Sequence, residues 1–89
     1  MNKIWEPIIF RALKGENNIP SPFAKEGVIK SLFIVVVDEG VKRLGFGLLW
    51  CSVTLKGIRL SRMEIPNYLP AIAVSEFEKM EMPAIKIDW

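Results

Sequence analysis

The chain has 89 residues, the size of one domain spanning 1–89, and its 51% hydrophobic and 25% charged content excludes a disordered tail or a fibrous repeat. It contains no histidine and a single cysteine, Cys51. That removes the commonest acid–base group near neutral pH, any zinc site of the histidine or multi-cysteine kind, and any disulfide within the chain. The formal charge of +2 is unevenly spread: residues 1–39 are balanced, residues 40–63 carry five bases and no acid, and residues 64–89 carry five acids against Lys79 and Lys86.

Taken in chain order, the first element is a two-turn helix. Pro7 suits a first helical position and Gly15 a left-handed C-terminal cap, with Ile9, Ala12 and Leu13 forming one apolar face. Glu6 as N-cap would set Trp5 and Phe10 as a hydrophobic staple. Asn17 to Pro22, with two prolines, reads as a crossing loop. Residues 28–37 read as a central strand, because the β-branched run Ile34-Val35-Val36-Val37 crowds a helix and packs well on a pleated surface. Ser21-Pro22 also fits the start of a helix reaching Phe33. Asp38-Glu39-Gly40 supplies a turn.

Lys56-Gly57 fits a two-residue hairpin loop, with pairs running from Leu55–Ile58 back to Trp50–Met63. In that register Phe46, Trp50 and Arg59 share a face, as do Val53, Leu55, Ile58 and Leu60. Gly45-Phe46-Gly47 marks a bulge or the close approach of another backbone. Residues 68–74 look extended, with Pro70 indicating an edge. Ser75-Glu76-Phe77-Glu78 matches a capping box for one helical turn to Met80. Ala84 to Trp89 alternates apolar and charged residues, as an edge strand does. The fold class that follows is α+β, a short N-terminal helix packed on a four- or five-stranded antiparallel sheet.

No segment carries a family-specific motif, and no catalytic set emerges. The serines lack a histidine to activate them, and Glu76, Glu78 and Glu81 do not gather on one helical face. Cys51 shares a hairpin face with Val53 and reads as a buried, inert thiol. No enzyme activity, cofactor, metal, membrane span or small-molecule substrate is expected. The opening residues lack a signal-peptide pattern, and the longest uncharged run, Leu44 to Leu55, has twelve residues against the roughly 20 a span needs, which points to the cytoplasm.

Binding is the remaining class. Three tryptophans, five phenylalanines, one tyrosine and four methionines are more large apolar groups than so small a domain hides, and these types concentrate at interface centres. The expected partner surface is the C-terminal strand, Met80, Met82, Ile85, Ile87 and Trp89. It would engage a protein partner, as an inhibitor or adaptor does, or a second copy as a homodimer. The alternative is single-stranded nucleic acid, or an acidic partner, held by Lys42, Arg43, Trp50, Lys56, Arg59 and Arg62 on a basic and aromatic sheet face.

Overall fold

The computed structural model describes residues 3–87. It has eight elements: α1 (Trp5–Leu13), β1 (Ile19–Pro20), β2 (Val28–Asp38), β3 (Arg43–Cys51), β4 (Lys56–Glu64), β5 (Ile72–Ala73), α2 (Val74–Lys79) and β6 (Lys86–Ile87). The strands form one sheet in the order β1-β2-β3-β4-β6, with β5 sharing the outer edge of β2 with β1. The class is α+β with the helix at the N-terminus, as the sequence implies. The sheet is one strand larger than the largest expected, because Ile19 and Pro20, within the segment read as a crossing loop, pair with β2 as β1. It is also not wholly antiparallel, since the short strands β5 and β6 join β2 and β4 in parallel.

The helix ends as its sequence dictates: Gly15 has φ +88°, and its N–H and that of Glu16 donate to the Ala12 and Arg11 carbonyls. It begins differently. Trp5 is the first helical residue, no side chain caps the end, and Phe10 points to solvent, so no staple forms. The reason is burial: a wholly buried Trp5 ring 5.2 Å from Phe23 anchors the helix more strongly than a cap on Glu6 would.

Alternation along β3 sends Gly45, Gly47, Leu49 and Cys51 to one sheet face and Leu44, Phe46, Leu48 and Trp50 to the other. Helix α1 covers one half of the first face, burying Trp5, Ile8, Ile9, Ile29, Leu49, Cys51 and Ile58 together. The loop after β4 covers the other half with Ile65 and Leu69 against Phe33. Residues 74–85 connect the two outer edges across the second face, where Phe77 stacks edge-on against Phe46 and where Ile34 and Leu48 are buried. No described helix is long and apolar enough to cross a membrane.

The β3–β4 hairpin departs from the expected register. Trp50 pairs with Gly57 and Leu49 with Ile58, so Lys56-Gly57 lies inside β4 and the turn falls at residues 52–55. Two long-range demands override the turn chemistry of Lys56-Gly57. A Cβ at Gly57 would stand 2.6 Å from the Leu49 carbonyl oxygen and 2.5 Å from the Ile85 side chain, so the glycine is needed for packing. The turn itself is closed by Leu55 N–H to the Cys51 carbonyl, by Lys56 N–H to Thr54 Oγ1, and by Leu55 in the left-handed region at φ +63°. Helix α2 also forms without the capping box: Ala73 holds the cap position, so Ser75 lies inside the first turn.

The glycine pair in β3 coincides with two irregularities, both in its neighbours. Val36 is extra in β2 between the Val35–Gly45 and Val37–Leu44 pairs. Ser61 and Arg62 stand opposite Phe46 in β4. A β3 strand thinned by glycine runs between two bulged partners.

Candidate interaction groove

The bulges re-aim side chains at one end of the second face and open a groove of about 630 Å3 there. Val36 and Val37 of β2, Leu44 and Phe46 of β3, and Met63 of β4 make its apolar wall, with Arg59 and Arg62 along the β4 side. Val36 and Val37 are 53% and 45% exposed. The Arg59 guanidinium lies 4.5 Å from the Phe46 ring centroid, a cation–π contact that holds it over the groove. Arg62 sits at the bulge with φ +53°. Among the described residues the ion pairs are Arg11–Glu16 and Lys42–Glu64, so neither groove arginine has a carboxylate partner.

The other basic residues are placed elsewhere. Lys42 lies 3.8 Å from Glu64 at the groove's end. Arg43 faces the opposite side, where its guanidinium donates to the Pro66 and Leu69 carbonyls and clamps the loop that covers Phe33. The Lys56 ammonium sits 5.4 Å from the Phe23 ring beside the α1 core. Trp50 is on the second face, half-buried and paired with Gly57 near the far end of β3 from the groove. Of the six residues in the basic set, the structure gathers Arg59 and Arg62 in the groove.

The C-terminal set is spread out. Met80 follows α2 and is exposed, Met82 is half-buried within the crossover, and Ile85 packs against Gly57. Ile87 lies in β6, and Trp89 is outside the described residues. The groove residues that sequence reasoning passed over are Val36, Val37, Leu44 and Met63. For Val36 and Val37 the signal was present in the unbroken β-branched run, which is apolar on both faces and overshoots what the core covers; nothing comparable marks Leu44 and Met63.

A second recess of about 420 Å3 opens where β1 and β5 leave the middle of the β2 edge uncovered, between Ser31–Phe33 and Tyr68–Ile72. It carries no basic residue. Among the described residues no three histidine, cysteine, aspartate or glutamate side chains gather as a metal site.

Cys51 is fully buried, and its surroundings are polar in a specific way. Burial raises its pKa, but the Ser21 hydroxyl, which donates at 3.0 Å, and the side chain and N–H of Thr54 and the N–H of Val53 outweigh it. The thiol falls from 9.0 to about 7. The folded chain therefore sheds this proton before the unfolded one does, and stability rises with pH between about 7 and 9. Denaturant unfolding across that window is expected to show a gain on the order of 2 kcal/mol, absent in Cys51→Ser. A flat profile in the parent chain would refute the hydrogen-bonded thiolate.

Comparison with protein families, with characterised proteins and with solved structures finds no match. The fold and the groove are what this chain offers as guides to function.

Proposed function

We propose that this chain is a non-enzymatic interaction module, an inhibitor or adaptor in kind, that binds a partner protein through the groove at the bulged end of its sheet. The observation that carries this reading is the exposed pair Val36 and Val37, beside half-buried Phe46 and two arginines with no carboxylate partner among the described residues. Exposed apolar patches rimmed by arginine are characteristic of binding surfaces. The lone thiol, in a chain without a membrane-length helix among its described residues, fits a reducing compartment such as the cytoplasm.

The nucleic-acid reading is weaker on geometry. A base stacking on Phe46 would displace Arg59, and Phe77 already meets the same ring at 5.6 Å. Trp50 lies near the opposite end of β3 and does not extend the platform.

Displayed random peptides panned against the purified chain test the proposal. Enrichment of sequences mixing acidic and apolar residues is expected, with binding about tenfold or more weaker in the double variant Arg59→Glu, Arg62→Glu. Undiminished binding by that variant rejects the groove. Salt-dependent binding of oligothymidylate through the same arginines would favour nucleic acid instead.

A further inference from the structure

Strand β6 pairs with β4 at Lys56 and Gly57, and beyond them no described residue pairs with the outer edge of β4 as far as Glu64. That edge presents backbone N–H and C=O groups to any extended chain that reaches it. Its two faces differ. Ile58 and Leu60 project toward the core side, Arg59 and Arg62 project toward the groove, and Met63, past the bulge at Ser61–Arg62 that resets the alternation, packs against the Phe33 cluster while still lining the groove. The edge is therefore apolar on one face and cationic on the other.

We infer that this open edge accepts an extended partner segment in which acidic and apolar residues alternate, added to the sheet as a further strand. The inference rests on the interaction reading above and names its partner chemistry. The chain supplies a precedent for the strand addition, though not for its charge: Ile85-Lys86-Ile87 alternates apolar with basic, and β6 joins this same edge with Lys86 N–H donating to the Leu55 carbonyl at 2.8 Å. Charge selects the occupant. A second copy paired along this edge would line up both copies' Arg59 and Arg62 in one seam, whereas a carboxylate on the groove face of an incoming strand meets an arginine that has no carboxylate partner among the described residues. The extra twist at the bulge turns away flat hydrophobic strands, so the edge discriminates among the extended chains that reach it.

The test uses a terminally blocked peptide of alternating glutamate and valine, titrated into the chain and followed by amide NMR. Binding is expected with new exchange protection along Leu60 to Glu64. Methylating alternate backbone nitrogens of the peptide, the set facing β4, is expected to weaken binding about tenfold or more, while methylating the intervening set leaves it unchanged. Equal binding by both methylated peptides overturns strand addition yet leaves a side-chain groove standing. If this peptide fails while panned peptides bind, the alternation is overturned and the interaction reading survives. If no peptide binds at all, that reading fails with it. A dimer in light scattering that Arg59→Glu dissociates would make the occupant a second copy, and would also overturn the inference.

Discussion

Gly45→Ala is expected to destabilise the chain by about 3 kcal/mol or more, seen as a large fall in the urea midpoint, against a total stability of about 5–10 kcal/mol for a domain of this size. The methyl group would stand 1.8 Å from the Ile34 carbonyl oxygen and 3.1 Å from the Val35 Cα. Both obstacles are backbone in the central strand β2, so no rotamer change can relieve them. Strand β2 would have to move away from β3 at the bulge, breaking pairs that hold the middle of the sheet. Gly40→Ala separates crowding from conformational freedom. Gly40 has φ +84° with no atom within 4 Å of the added carbon, so its cost is the left-handed backbone alone, about 1 kcal/mol. Equal midpoints for the two variants would contradict the close approach of β2 and β3.

Trp5→Ala is expected to cost about 3–5 kcal/mol, because a fully buried indole would leave a cavity beneath the first turn of α1 that Phe23 and Leu49 fill only in part. Trp5→Phe should cost about 1 kcal/mol. The indole Nε1 is buried without a hydrogen-bond acceptor, so the phenyl ring loses contact area but removes an unpaired donor, whose burial costs about 1–3 kcal/mol. Thermal and urea unfolding of the two variants decide the matter. A Phe variant as unstable as the Ala variant would mean that the N–H is in fact paired.

Elements whose signals are local were legible in the sequence. The span of β2, the turn at Asp38 to Gly40, and the glycine that ends α1 each depend on β-branching, an aspartate side chain or a left-handed glycine within a few residues. The hairpin register was not legible. Lys56-Gly57 has turn chemistry, and what keeps it in a strand is the approach of Ile85, 28 positions away in sequence. Leu55 takes a left-handed backbone that its residue type gives no reason to expect. The shared face of Phe46 and Arg59 followed from alternation alone, since the true and expected registers differ by an even step and keep the same residues together. Arg43 could not be told from Arg59 in the sequence, because its carbonyl partners belong to a loop that folds back more than twenty residues later. The roles of β5 and β6 likewise depend on a crossover between opposite sheet edges, which no two-residue strand announces.

The bulges on either side of Gly45–Gly47 have one more implication. They place the concavity in the backbone, in the count of residues each strand carries past Phe46, while the recognition chemistry sits in side chains that the core does not require. Shape and selectivity are thereby written in separate parts of the chain. Arg59, Arg62 and Val37 can drift to other residue types, and the hollow they line will persist, so descendants of this sequence could exchange one partner for another without rebuilding the scaffold.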